Sequence, residues 1–284
     1  MIKSKVLSIN IDSISIETFL PEIIKRIKEV QKVLVSGNID EKMFDSLLKD
    51  IATHYHHSIN QIIPSWAKMC AVKSGETELH VMRSLVSLCM IEEYKNTSKK
   101  QQNAMEWVML LHDLAKIPRQ KKDDFWERDA MHPFRSAAIA ARILPQLGFT
   151  TTKNYLDEIE NWVDLVNNAS IPDIRDGFEG ETIQENSNLK TILTGLDELF
   201  GANSLSSKMI KSILLHQSIP MVDDWPAASP LSDDEIASFF NNELLEFMSP
   251  ILKADSDAWQ LFTDNRKNYA DQVQRNIDRI RSLF

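Results

Sequence analysis

A helical repeat of apolar residues runs through most of the chain and restricts its fold more than any other feature. Apolar side chains recur at positions i, i+3 and i+4, which places them on one face of an α-helix. Glycine is scarce, at 7 of 284 residues, which disfavours a turn-rich β architecture. The pattern predicts an all-α bundle. The segments that show it are ETFLPEIIKRIKEVQ, DEKMFDSLLKDIATHYHH, ELHVMRSLVSLCMIEEY, QQNAMEWVMLLHDLAKI, PFRSAAIAARILPQL, NYLDEIENWVDLV, LKTILTGLDELF, SKMIKSILLHQ, SDDEIASFFNNELLEF, SPILKADSDAWQLF and YADQVQRNIDRIRSLF.

Local signals predict where some helices begin and where the helical pattern stops. Ser232 is followed three residues later by Glu235, which predicts a capping box. Ser249 directly precedes Pro250, which predicts an N-cap with proline at the first helical position. Near the start, VLSINIDSISI alternates isoleucine with polar residues and predicts one short strand or an extended arm. Two polar connections, 171–188 and 218–234, are predicted to be loops.

Charge and cysteine content limit the classes of partner. The net charge is −9, so the surface as a whole does not favour nucleic acid or an anionic membrane. No run approaches the roughly 20 apolar residues of a membrane span, and the first residues lack the apolar core of a secretion signal. Cys70 and Cys89 lie in apolar segments without metal-binding spacing. They are expected to be reduced core residues of a cytoplasmic protein.

Histidines and aspartates interrupt the apolar helical segments at several places. His112 and Asp113 stand side by side in EWVMLLHDLAKIP, and Asp255 shares the apolar face of its helix with Ile251 and Ala258. An aspartate on an apolar face is costly unless it has a partner, and a metal ion would be such a partner. Three more histidines lie within or beside helical segments, namely His80, His132 and His216.

This order of residues resembles the HD superfamily of metal-dependent phosphohydrolases. The hallmark of that family is a histidine, then a His-Asp pair, then a distant aspartate, on an all-helical bundle. The matching stretches are ELHVMRSL with His80, LLHDLAKIP with His112 and Asp113, and LKADSDAW with Asp255. MHPFRSAAIAARIL, with His132, further resembles the His-Pro helix of members that bind two metals. The resemblance spans residues 75 to 265 approximately and implies an HD-type catalytic domain at 71–284, with residues 1–70 as an added helical region.

The resemblance also implies a ligand set. A first divalent metal would be held by His80, His112, Asp113 and Asp255. Asp113 would bridge to a second metal held by His132 and His216, and would hold or orient the attacking hydroxide. A mixed imidazole and carboxylate set suits Mn²⁺, Fe²⁺, Ni²⁺ or Zn²⁺ rather than Ca²⁺. Mg²⁺ is a further candidate cofactor. Two such metals can generate hydroxide and stabilise both ends of a phosphoryl displacement.

Basic residues near these positions are candidates for contact with an anionic substrate. Lys116 follows Asp113 by three residues and Arg135 follows His132 by three, so each shares a helical face with a proposed ligand. Both are predicted to act in catalysis by meeting a phosphate. The other cations of this stretch, Arg119, Lys121, Lys122 and Arg128, are interleaved with acidic residues and read as a solvated surface.

Two further groups of residues lie outside that pattern. The cluster His54, His56 and His57 reads as a polar helix end, with a role at the site mouth or in metal binding as the alternative. Trp107, Trp162 and Trp259 are predicted to be core residues. Trp225, in the proline-bearing loop, is the tryptophan considered for substrate stacking.

The predicted function is a metal-dependent phosphohydrolase or phosphodiesterase that acts on a nucleotide or another small phosphorylated compound. The Gly-Tyr-Pro motif of members that open cyclic dinucleotides is missing after His216, so that substrate is disfavoured. One alternative is a di-iron oxygenase resembling myo-inositol oxygenase, which uses the same six-ligand pattern. The other is a non-catalytic signalling module of the same fold, against which the presence of all six candidate ligands argues.

Overall fold

The computed structural model describes residues 16–117, 121–122, 125–126, 129–169, 188–219 and 231–284. These ranges are mainly helical, which confirms the all-α prediction. None of the helices in them is both long and apolar enough to cross a membrane. The helices are α1 (Ile16–Val35), α2 (Glu41–Ile62), α3 (Trp66–Cys70), α4 (Glu76–Met90), α5 (Glu92–Lys95), α6 (Lys99–Leu111), α7 (His132–Ile143), α8 (Tyr155–Asn167), α9 (Leu189–Phe200), α10 (Leu205–Leu215), α11 (Asp233–Phe239), α12 (Asn242–Ala258) and α13 (Arg266–Arg281).

The non-helical elements are small. Two-residue strands, β1 (Lys121–Lys122) and β2 (Phe125–Trp126), pair antiparallel in the connection between α6 and α7. Short 3-10 turns cover Val72–Gly75 and Leu144–Leu147. Several sequence predictions fall outside the described residues: the strand or arm at 6–15, most of both long loops (171–187 and 220–230), Trp225, Arg119 and Arg128.

Helix α4 lies at the centre of the bundle. It packs against α1, α2, α6 and α12, and its buried side chains point in all directions around the helix, as expected of a helix enclosed by others. One continuous apolar cluster runs from Phe19 in α1 to Ile280 in α13. The N-terminal helices α1 and α2 both pack on α4. A domain boundary at residue 70 stays a prediction.

The end of α6 places the His-Asp pair. Ser98 and Gln101 form a capping box at the start of this helix, and its last helical residue is Leu111. His112 is the C-cap, and Asp113 lies in the turn that follows, where its carbonyl accepts from Lys116 N. The sequence placed both residues within one apolar helical segment, QQNAMEWVMLLHDLAKI. That placement is wrong for Asp113, because the helix ends at Leu111 and Asp113 lies beyond its C-cap.

The start of α12 differs from the sequence prediction. The Ser232 capping box of α11 is confirmed, but Ser249 and Pro250 do not begin a helix. Asn241 is the N-cap of α12, because its side chain accepts from Leu244 N at 2.9 Å, and the helix continues through Pro250. A proline inside a helix costs about 3 kcal/mol, so burial of the apolar face of α12 against α4 must offset that cost.

The tryptophan and cysteine predictions are confirmed in part. Trp107 and Trp162 are 3% and 4% exposed and belong to the core. Trp259 is 45% exposed, so its assignment to the core is wrong. It is the C-cap of α12, where the helical period no longer sets the direction of the side chain. Cys89 is buried, Cys70 is half-buried, and neither forms a disulfide.

Candidate metal centre

The structure brings all six predicted ligands together from five helices. His80 comes from the middle of α4 and Asp255 from α12, while the others lie at helix ends. His112 caps α6, Asp113 follows it, His132 begins α7 and His216 caps α10. The four histidines and Asp113 are each at most 3% exposed. They converge because α4, α6, α7, α10 and α12 pack on one another.

Asp113 lies between two groups of histidines. Its Oδ1 atom is 2.9 Å from His132 Nε2 and 3.7 Å from His216 Nε2. Its Oδ2 atom is 3.9 Å from His80 Nε2 and 3.8 Å from His112 Nε2. Each oxygen therefore faces a different pair of imidazoles. The candidate ligand atoms form two groups that share Asp113. The first group also contains His80 and His112, and the second also contains His132 and His216. Within each group, the atoms lie no more than 4.8 Å apart.

Asp255 completes the first group. Its Oδ1 atom lies 2.8 Å from His80 Nε2 and 3.5 Å from His112 Nε2. The Asp255 side chain is 21% exposed, whereas the other five residues are almost inaccessible. Among the six, Asp255 therefore marks the side on which the cluster meets solvent.

Backbone carbonyls orient three of the imidazoles in the same way. His112 Nδ1 lies 2.9 Å from the Met109 carbonyl oxygen, and His216 Nδ1 lies 2.7 Å from that of Ile213. His132 Nδ1 lies 2.5 Å from the Asp129 carbonyl oxygen. A carbonyl can only accept, so each Nδ1–H donates, and in the neutral imidazole Nε2 then keeps its lone pair. The same tautomer is found in histidines that ligate a metal through Nε2.

Both carboxyl groups are held in the ionised form. Burial alone would raise the pKa of Asp113, but the Lys116 ammonium and the neighbouring imidazoles lower it well below its usual range. Burial also opposes ionisation of Asp255, yet the imidazoles of His112 and His80 lower the pKa of Asp255 well below its usual range. Ionised carboxylates are the form that binds a cation.

The imidazoles differ in their protonation. Burial lowers the pKa of His80 and of His132, and the nearby carboxylates recover only part of that shift. Burial also acts on His112, but Asp113 and Asp255 outweigh it and raise the pKa of His112. The neutral imidazole is the form that can donate a lone pair to a metal. The ligand-competent form is therefore favoured at His80 and His132.

Buried polar atoms without hydrogen-bond partners are a second observation that fits a metal site. Asp113 Oδ1 and His112 Nε2 are buried and lack a hydrogen-bond partner, even though imidazole and carboxylate atoms lie close to them. A buried polar atom without a partner costs about 1–3 kcal/mol. Cation coordination would satisfy both atoms. The set of four imidazoles and two carboxylates is also one that first-row divalent metals accept.

Lys116 lies beside Asp113, as the sequence predicted, but both residues follow the end of α6 and do not share a helical face. Its Nζ atom is 2.7 Å from Asp113 Oδ2, and its side chain is 22% exposed. The ammonium thus reaches the buried carboxylate from the solvent side of the cluster. A cation in this position can meet a second anion that arrives from solvent.

Arg135 has a different environment from the one predicted. Its guanidinium lies 2.6 Å from both oxygens of Asp129 and 3.2 Å from the Ala115 carbonyl oxygen. Asp129 Oδ2 also accepts from Ile117 N at 2.9 Å. Arg135 and Asp129 together tie the turn after Asp113 to the start of α7. A contact between Arg135 and substrate stays a prediction, and it would require the guanidinium to turn away from Asp129.

The sequence reasoning missed two residues near the site. Trp259 stacks on His80, with ring centroids 4.4 Å apart and an interplanar angle of 17°. Asp129 anchors both Arg135 and, through its carbonyl, His132. The position of Asp129 three residues before the His-Pro helix was the available signal, because acidic residues favour helix N-termini. No sequence signal pointed to Trp259.

The contacts described for the α2 histidines are with Tyr55, Gln61, Cys70 and Glu78, and none is with the six-residue centre. His54 and His57 are exposed, and His57 Nε2 lies 3.0 Å from Gln61 Nε2. His56 is half-buried and lies near Cys70 and Glu78.

Comparison with protein-family models, with curated proteins and with solved structures finds no match to this chain.

Proposed function

We propose that this protein is a metal-dependent phosphohydrolase of the HD type, and that it acts on a small phosphorylated compound. The proposal rests above all on Asp113. One of its oxygens faces His132 and His216, and the other faces His80 and His112. A carboxylate with a separate histidine pair at each oxygen is suited to bridge two cations.

His80, His112, Asp113 and Asp255 would hold one ion, and Asp113, His132 and His216 the other. When bound, two divalent ions supply an activated water and neutralise charge on a phosphoryl group. The protein orients the imidazoles through the carbonyls at i−3, keeps both carboxylates ionised and excludes bulk water from all but the Asp255 side.

Local charge supports a phosphorylated substrate. The chain carries a net charge of −9, yet a lysine ammonium stands at the partly exposed edge of the site. Lys116 keeps the Asp113 carboxylate ionised and presents a donor where a substrate phosphate would enter. Preorganised cations of this kind stabilise the charge that develops in a phosphoryl-transfer transition state.

Metal analysis of protein purified without chelator tests the site. At the six-residue centre we expect up to two metal equivalents in the wild type and neither of them in Asp113→Ala, because both groups lose their shared ligand. His216→Ala should lose one equivalent and keep the other. His57→Ala, an exposed histidine on α2, is the control and should match the wild type. Equal metal content in wild type and Asp113→Ala would refute the assignment of Asp113.

Activity measurements separate the chemistries. Phosphatase and phosphodiesterase substrates should be tested with Mn²⁺, Mg²⁺ and Fe²⁺, and O₂ uptake measured on the iron-loaded protein. The proposal predicts phosphate release that is lost in Asp113→Ala while the circular dichroism spectrum is unchanged. Substrate-dependent O₂ uptake without phosphate release would instead support an oxygenase.

A further inference from the structure

A second group of metal-binding residue types shares no residue with the six-residue centre. His56 comes from α2, Cys70 is the last residue of α3, and Glu78 lies in the first turns of α4. One ligand atom from each lies within 4.8 Å of the other two. We propose that these three residues form a separate binding site for a thiophilic divalent cation, of which Zn²⁺ is the expected example.

The contacts between the three side chains support this site. Cys70 Sγ donates to Glu78 Oε1 at 3.0 Å, and His56 Nδ1 lies 3.9 Å from the same oxygen. The thiol and the imidazole therefore converge on one carboxylate. In a cation complex, the cation takes the place of the thiol proton, which is released to solvent, and sulfur, nitrogen and oxygen each donate a lone pair.

The donor set and its charge match Zn²⁺. Zinc accepts cysteine sulfur, histidine nitrogen and carboxylate oxygen, usually with four ligands in total. A thiolate, a carboxylate and a neutral imidazole together carry two negative charges, so a divalent cation gives a neutral complex. Neutrality matters because all three residues are half-buried, where an uncompensated charge is costly.

The site is accessible on one side. The His56 side chain is 43% exposed and that of Glu78 is 19% exposed. A cation can therefore enter from solvent, and a water molecule can supply the fourth ligand. Cys89 is buried in the core and forms no disulfide with Cys70, so the Cys70 thiol is free to ligate.

A cation here would join three helices. It would tie α2 and the end of α3 to α4, the helix that carries His80. Its expected role is structural, because it would fix the N-terminal helices on the central helix. This inference does not depend on the proposed hydrolase activity.

Cobalt spectroscopy on the full-length protein tests this site separately from the six-residue centre. Cobalt(II) bound to a thiolate gives a sulfur-to-metal charge-transfer band in the near ultraviolet, and the six-residue centre contains no sulfur. We expect metal-free wild type to develop this band as Co²⁺ is added, saturating at one equivalent of the absorbing species. The band should disappear in Cys70→Ser. In His56→Ala it should need on the order of tenfold or more Co²⁺, as removing a ligand weakens metal binding at least as much as removing an outer partner.

Three control variants complete the design. His54→Ala changes an exposed histidine on the same helix, and Cys89→Ala removes the other thiol; both should keep the band. Asp113→Ala should also keep it, even if the six-residue centre binds no metal at all. The absence of a thiolate band in folded wild type would overturn the proposal. So would a band that survives Cys70→Ser and is lost in Cys89→Ala.

Discussion

The indole of Trp259 lies flat against the imidazole of His80, with centroids 4.4 Å apart and planes inclined by 17°. The stack joins an exposed residue at the end of α12 to a buried one in the middle of α4. Asp255, on the same helix as Trp259, contacts the same imidazole at Nε2. Helix α12 therefore holds His80 both by its ring face and by its ring edge.

Removal of the indole should loosen His80. Aromatic pairs are worth about 0.5–1.5 kcal/mol, so Trp259→Ala should weaken the metal affinity of the group containing His80 by roughly 2- to 10-fold. Trp259→Phe should keep most of that affinity because it keeps a ring. Isothermal titration of metal-free protein measures the difference. Identical affinities in wild type and Trp259→Ala would show that the stack does not position His80.

Lys116 should act on substrate rather than on the fold. Lys116→Ala should keep its metal content and lose about 10- to 1000-fold in kcat/KM for a phosphorylated substrate, by analogy with loss of one preorganised donor. Steady-state kinetics and elemental analysis on the same preparation check both parts. Lys68→Ala, which changes a lysine of α3, is the control and should have wild-type kinetics. Unchanged kinetics in Lys116→Ala would remove this lysine from the site.

Arg135 should act mainly through Asp129. Arg135→Ala leaves the Asp129 carboxylate, whose side chain is 9% exposed, without its guanidinium partner, so we expect a loss of about 1–3 kcal/mol in unfolding free energy together with reduced activity. Asp129→Asn should reduce both quantities as well, because it weakens the same link to the turn after Asp113. Urea unfolding and kinetics on both variants test this. If Asp129→Asn were fully active while Arg135→Ala was inactive, Arg135 would instead be a substrate contact.

Glu106 should make stability depend on pH. Burial raises the pKa of Glu106, and the hydrogen bond from Tyr94 and the ammonium groups of Lys28 and Lys99 offset only part of this. A raised pKa in the folded state means that the folded protein retains the proton longer than the unfolded chain. The contribution of Glu106 to stability is therefore complete below the ordinary glutamate pKa of about 4.3 and is lost as pH rises through the folded-state value.

Substitution of Glu106 by glutamine should remove that dependence. Glu106→Gln keeps an acceptor for the Tyr94 hydroxyl but cannot ionise. The unfolding free energy of Glu106→Gln minus that of the wild type should increase as pH rises above about 4.3. The difference should become constant once Glu106 is fully ionised in the folded wild type. Urea unfolding at a series of pH values measures this, with exposed Glu246→Gln as the control. A difference that shrinks with rising pH would contradict the raised pKa.

The sequence predicted the all-α class and the six residues that converge, because both depend on residue type and helical period. The apolar faces specify which side of each helix is buried, so His80 and Asp255 were expected inside before their contact was known. What the period could not specify was the end of α6. Asp113 faces two histidine pairs because it lies in a turn, where the helical period no longer sets the direction of the side chain.

The errors share a physical cause. The local pattern predicts a helix start at Pro250, but the start of α12 depends on Asn241, nine residues upstream, and on burial against α4. The pattern also predicts that Trp259 is a core residue, but it follows the last helical residue of α12. The partner of Arg135 also depended on how the turn after Asp113 meets α7. The apolar period alone specifies neither the ends of a helix nor the partner of a charged side chain.

The spacing of the ligands along the chain also determines when the centre can be completed during synthesis. His80 and Asp255 are in contact across 175 residues, so the first group closes only after nearly all of the helical segments have left the ribosome. The imidazoles of His132 and His216 meet across only 84 residues. A nascent chain that has folded as far as α10 would therefore present the second group, with Asp113, before Asp255 exists. The order in which the two groups of side chains are completed therefore follows from the order of their residues along the chain.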